Sequence, residues 1–269
     1  MNKDKNLDIN ETFSLAVSNQ QKGNLHEAQN LYNRILEVNP KHVDTLYNLA
    51  IISNKLGKYE KAINCYQKII EINPEHIISY NNLGLIFNKL GKYEKAINCY
   101  QKAIEIKPDY EDGINNLGLT FKKIREYPKA RNCFEKIIKI NPRSVFGYSN
   151  LGKMLHDMGG HKEAKDCLEK AIEIDPKLAH LHNSLAVVFH SVGEYEKAKN
   201  YFEKAIEIDP EFTVAYNNLG SLLKDSGDYQ GSLYHYEKAA KIDPDYTLIQ
   251  ENIANLFIGS LDSSDKAIS

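Results

Sequence analysis

Tryptophan is absent from this 269-residue chain, and so are long apolar runs. A bilayer-spanning helix needs about 20 consecutive, predominantly apolar residues, and no stretch qualifies, so no membrane segment is expected. The N-terminus, Met-Asn-Lys-Asp-Lys-Asn, lacks the apolar core of a secretory signal. Neither sign of charge is in excess, because 34 basic and 36 acidic residues leave a net charge of −2. That balance argues against the broad basic footprint of a nucleic-acid binder. No stretch alternates with period two, so no sheet is expected. No nucleophile motif, phosphate-cradling loop or paired-carboxylate arrangement stands out. The reading is therefore non-enzymatic, with no cofactor.

Cysteine is scarce, and its placement argues against a metal or disulfide set. Cys65, Cys99, Cys133 and Cys167 are spaced 34 residues apart. Equivalent atoms of stacked helix pairs lie at least about one interhelical distance of 8–10 Å apart, beyond the roughly 7 Å between Cα atoms that a disulfide tolerates. Free thiols of this kind fit a reducing cytoplasm. The histidines carry no metal spacing either: in His180-x-His182 the two rings do not share a helix face. His156 and His190 hold equivalent places 34 residues apart. No metal is expected.

Proline is rare as well, but its eight copies organise the chain. Seven recur every 34 residues: Pro40, Pro74, Pro108, Pro142, Pro176, Pro210 and Pro244. A fixed period of that length is the signature of a stacked repeat. The register gives seven units, 9–42, 43–76, 77–110, 111–144, 145–178, 179–212 and 213–246. The seventh place is always leucine, from Leu15 through Leu49, Leu83, Leu117, Leu151 and Leu185 to Leu219, and is expected to be buried. The eighth is Ala or Gly, the twentieth Ala or Ser, and the twenty-fourth is Tyr, Phe or Leu. Large and small residues at fixed places let two helices interlock.

Each unit reads as a helical hairpin. In the third, Tyr80, Leu83, Gly84 and Phe87 form one i, i+3, i+4, i+7 stripe, and Tyr93, Ala96, Ile97 and Tyr100 begin another. Gly91 suits the αL turn between them, and Pro108 ends the second helix. Pro128, outside the series, falls in the first turn of a second helix, where proline is tolerated. Asp8 with Glu11 resembles a capping box, placing the first helix start at residue 9 and leaving 1–8 as a polar tail. After Pro244, residues 247–258 continue the first-helix pattern and are expected to cap the stack. Residues 259–269 read as a tail or a truncated eighth unit.

This pattern of Leu, Gly/Ala, aromatic, Ala, aromatic and Pro resembles the tetratricopeptide repeat over residues 9–246. Departures are Asn19 and Ser53 at an aromatic place, and Thr12 and His182 at the family's tryptophan place. The resemblance implies an all-α, right-handed superhelical solenoid of antiparallel helix pairs, with first helices lining its inner wall. The family's carboxylate clamp, with lysine and asparagine at the fifth and ninth places, is absent, so binding of chaperone tails is not supported.

One array of residues carries chemistry. The sixth place of the first helix is Ser14, Asn48, Asn82, Asn116, Asn150, Ser184 and Asn218, followed by Asn252 in the terminal helix. Asparagine is a mediocre interior helix former, so its recurrence needs another use. An amide can hold a peptide backbone whatever its side chains, or bond to a neighbouring helix. The array resembles the asparagine ladder of O-linked N-acetylglucosamine transferases, which holds extended substrate peptide. Asn81 and Asn115 at the fifth place, and Lys55, Lys89, Lys122 and Lys123 at the twelfth and thirteenth, extend the candidate site. The basic residues favour a partner carrying acidic groups. The expectation is an adaptor or scaffold binding an extended peptide or protein segment in its concave groove. The alternatives are the substrate-recruiting arm of such a glycosyltransferase, whose catalytic domain has no room after residue 246, and a self-assembling scaffold. An RNA-binding helical repeat is disfavoured by net charge.

Overall fold

The computed structural model describes residues 8–266, with side chains through Leu256. The polar tail at 1–7, the Phe257 side chain and residues 267–269 lie outside that range. Fifteen α-helices and no strand occur among the described residues. The chain divides into two compact units, Met1–Ile137 and Ile138–Ser269. The division falls inside a helix and not at a loop, and no shift in composition marks it.

The first unit holds α1 (Ile9–Gln21), α2 (Leu25–Val38), α3 (Val43–Lys55), α4 (Tyr59–Ile72), α5 (Ile77–Lys89), α6 (Tyr93–Ile106), α7 (Glu111–Lys123) and the start of α8 (Tyr127–Ile140). The second holds the end of α8, then α9 (Val145–Asp157), α10 (His161–Ile174), α11 (Ala179–Ser191), α12 (Tyr195–Ile208), α13 (Thr213–Asp225), α14 (Tyr229–Ile242) and α15 (Thr247–Lys266). Within each unit, helices pack as successive hairpins. The second helix of one hairpin lies against the first helix of the next, as α2 on α3, α4 on α5 and α10 on α11. The fold is all-α, a stack of helix pairs.

Local chemistry explains the boundaries. Asp8 caps α1: its Oδ1 accepts from the Asn10 and Glu11 amides at 2.9 and 3.1 Å. Gly91 turns the chain at φ +72°, in the left-handed region that glycine enters without a Cβ penalty. Arg125 occupies the equivalent place at φ +62° with no such freedom. Asn73 ends α4 in extended geometry (φ −132°, ψ 92°), as the residue before Pro74 must.

The small and large places meet as the pattern requires. Tyr32, Tyr66, Tyr100, Phe134, Phe202 and Tyr236 are fully or almost fully buried. A Cβ placed on Gly84 would stand 2.6 Å from Tyr100 Cε1, so the two helices of that hairpin close on a position without a side chain. The seventh-place leucines are buried with one exception. Leu15 is 53% exposed against 8% for Leu117, because no described helix precedes α1 to cover it. α15 is longer than the expected 247–258 and continues as one helix to Lys266. Its Ile249 and Leu256 close over Tyr236 and Ala239 of α14.

Candidate functional site

On a first helix, places 2, 6, 9 and 13 follow i, i+4, i+7, i+11 and share one face. Places 7 and 8 turn into the core, which leaves the sixth-place residue half-buried at its margin. In the first unit this face carries Asp44, Asn48, Ile51 and Lys55 on α3. It carries Ile78, Asn82, Leu85 and Lys89 on α5, and Asp112, Asn116, Leu119 and Lys123 on α7. In the second unit it carries Phe146 and Asn150 on α9, Val214 and Asn218 on α13, and Leu248 and Asn252 on α15.

The amides of this face are not idle. Asn116 Nδ2 donates to Asn81 Oδ1 at 2.9 Å, crossing from α7 to α5. In the second unit Asn218 Nδ2 donates to Asn183 Oδ1 at 3.0 Å, and Asn252 Nδ2 to Asn217 Oδ1 at 2.8 Å. A sixth-place amide thus bonds the fifth-place amide of the preceding first helix. Where the fifth place is aromatic the arrangement changes. Tyr47 packs edge-on to Tyr66, with ring centroids 6.1 Å apart, and Asn82 Nδ2 donates to Tyr66 Oη at 3.2 Å instead. Asn48 Nδ2 turns back to the Asp44 carbonyl at 2.9 Å.

A second bridge joins α5 to α7. Asn88 Nδ2 donates to Thr120 Oγ1 at 2.5 Å, and Thr120 Oγ1 donates to the Asn116 carbonyl at 2.7 Å. The structural use of these amides, weighed from sequence as an alternative to ligand binding, therefore exists. It does not exhaust them. An asparagine amide has two N–H donors and an acceptor. The Oδ1 atoms of Asn82 and Asn116 have no partner among the described residues. The fifth-place amides of α5, α11 and α13, namely Asn81, Asn183 and Asn217, are buried, and Asn115 of α7 is half-buried.

Exposed apolar side chains stand one turn from the amides on the same face. Ile78 and Leu85 flank Asn82, Leu119 follows Asn116, Phe146 precedes Asn150, and Val214 precedes Asn218. Phe146 is 68% exposed. Sequence reasoning named the amides and lysines of this face but missed these residues. The signal was available in the i−4 and i+3 spacing from the sixth place.

Lys55, Lys89 and Lys123 are exposed at the ends of α3, α5 and α7, and Lys122 is half-buried. Lys89 Nζ lies 5.2 Å from the Tyr59 ring centroid and Lys123 Nζ 5.3 Å from that of Tyr93.

The residues weighed for other chemistry are placed otherwise. Cys65 and Cys133 are buried, and Cys99 and Cys167 are half-buried. Burial pushes the Cys99 and Cys133 thiols up to about 11, away from the thiolate form that reacts or binds metal. His156 meets His161, with their Nδ1 atoms 3.2 Å apart, while His190 Nε2 lies 3.0 Å from Asp225 Oδ2. Among the described residues no group of three or more His, Cys, Asp or Glu is placed to hold a metal ion. No described helix is long and apolar enough to cross a membrane.

Comparisons with known proteins agree with the helix-pair fold. Tetratricopeptide-repeat models match residues 8–75, 42–109, 112–144, 146–211 and 213–246. A tetratricopeptide repeat protein from Parabacteroides merdae ATCC 43184 aligns over 93% of this chain and 98% of its own, with TM-score 0.77 and 20% identity. Yeast Tom70 aligns over 97% of this chain and 56% of its own, with TM-score 0.73 and 18% identity. YrrB, a TPR protein with an unusual peptide-binding site, aligns over 70% of this chain and 96% of its own, with TM-score 0.50 and 24% identity. These likenesses concern the fold. No curated protein matches the chain. With repeat models covering nearly all of it, the chain belongs to the tetratricopeptide-repeat family.

Proposed function

We propose that this protein is a non-catalytic interaction scaffold that holds an extended peptide or protein segment along the face of its first helices. One observation carries the reading. The half-buried amides Asn82 and Asn116 keep hydrogen-bonding capacity after their internal bonds are made, and exposed apolar side chains stand beside them. A peptide backbone needs donors and acceptors at intervals, and its side chains need apolar contact. This face supplies both.

Asn48, Asn82, Asn116, Asn150, Asn218 and Asn252 are the backbone-holding residues in this reading. Asn81 orients Asn116, and Asn183 and Asn217 orient Asn218 and Asn252. Lys55, Lys89, Lys122 and Lys123 favour a segment carrying acidic residues. YrrB, with its unusual peptide-binding site on the same fold, is a precedent for the use of such a stack.

The test is affinity capture of the partner by the intact chain, followed by a binding titration with Asn82→Ala/Asn116→Ala. Each hydrogen bond is worth about 0.5–1.5 kcal/mol, so the double variant should bind about 5–150-fold more weakly. Circular dichroism must show the helix content retained. Unchanged affinity would reject the amide face as the binding site.

A further inference from the structure

Resting on that reading, we propose that the first unit selects an extended segment in which every second residue is glutamate. The amide on each of α3, α5 and α7 is followed one turn later by an aliphatic residue, Ile51, Leu85 or Leu119, and one turn later again by a lysine, Lys55, Lys89 or Lys123. The same order, amide then aliphatic then ammonium, is repeated on three successive first helices. Side chains of an extended strand alternate between two sides. A backbone lying across the amides therefore sends alternate side chains toward the helix C-termini, over the aliphatic residues and up to the lysines. A glutamate fits that path: its methylenes cover Leu85 or Leu119 and its carboxylate meets the ammonium.

The lysines are available for this. Two other lysines of the unit are ion-paired, Lys102 with Glu105 at 2.6 Å and Lys129 with Glu126 at 3.2 Å. Lys55, Lys89 and Lys123 have no carboxylate partner among the described residues. Lys89 and Lys123 rest on the Tyr59 and Tyr93 rings, which hold the ammonium groups in place without neutralising them. The helix C-termini favour a cation there but supply only about half a negative charge each. The opposite edge of the face argues for alternation over uniform acidity. It carries Asp44, Ile78 and Asp112, so acidic side chains pointing that way meet like charge.

The experiment compares two labelled synthetic peptides, (Glu-Thr)6 and its uncharged counterpart (Gln-Thr)6, by fluorescence anisotropy with the intact protein. The expected result is about tenfold tighter binding of (Glu-Thr)6 at low salt, shrinking as salt screens the pairs. Lys55→Gln/Lys89→Gln/Lys123→Gln should abolish the difference between the two peptides, with helix content retained by circular dichroism. Asn82→Ala/Asn116→Ala should weaken both peptides. Equal binding of the two peptides by the wild-type protein would overturn the glutamate inference and leave the amide face standing. Binding of neither would overturn both.

Discussion

Asn116 Nδ2 donates to Asn81 Oδ1 at 2.9 Å, linking side chains 35 residues apart on α7 and α5. Asn81 is only 7% exposed, so water cannot readily replace its donor. Asn116→Ala should therefore lose about 1 kcal/mol net: leaving a buried acceptor unpaired costs about 1–3 kcal/mol, and the better helix propensity of alanine returns roughly 0.6 kcal/mol. Asn48 bonds only to the Asp44 carbonyl of its own helix, so Asn48→Ala should be neutral or slightly stabilising. Urea titration of the two variants checks this. Equal effects would show that the cross-helix bond carries no weight.

The two ends of the leucine series make a second contrast. Leu117→Ala, at a site 8% exposed, should cost about 2–5 kcal/mol through lost burial and a residual cavity. Leu15→Ala, at a site 53% exposed, should stay within about 0.5 kcal/mol of wild type. A large loss at Leu15 would mean that something covers α1.

Acid should weaken the second unit. Burial lowers the His235 pKa below its ordinary 6.5. Folding favours the neutral His235 ring, whereas the unfolded chain takes up its proton near pH 6.5. Its contribution is complete above about pH 6.5 and is lost as pH falls from there through the lowered folded value. Melting at pH 7.5 and 5.5 should show a fall, and His235→Gln should shrink it, since the buried His235 Nδ1 has no partner to stabilise a proton. A fall of the same size in the variant would assign it to other groups.

Much of this fold could be read from residue order because its signals are local and repeated. Proline, glycine and the Leu/Ala/Tyr places recur at one spacing, so each unit confirms the last. What escaped was whatever depends on position in the stack or on pairing across units. Leu15 has the same identity as Leu117 and a different environment, since burial at that place comes from the preceding hairpin. Arg125 takes the left-handed turn that six glycines take elsewhere, because the fold imposes the turn even where the residue resists it. The asparagines of the candidate site were visible as a column. Their bonds to the fifth-place amides were not, because a 35-residue offset gains meaning only once successive first helices lie side by side. The exposed Leu85, Leu119 and Phe146 were obscured because apolar residues in a helix are read as core by default.

The central claim is that first-helix amides contact an extended ligand, and side-chain amide NMR tests it most directly. In a 15N-labelled sample titrated with (Glu-Thr)6, the NH2 resonances of Asn82 and Asn116 should shift. Those of Asn64 and Asn98, exposed on the second helices α4 and α6, should stay in place. Shifts confined to Asn64 and Asn98, with Asn82 and Asn116 unmoved at saturation, would contradict the account.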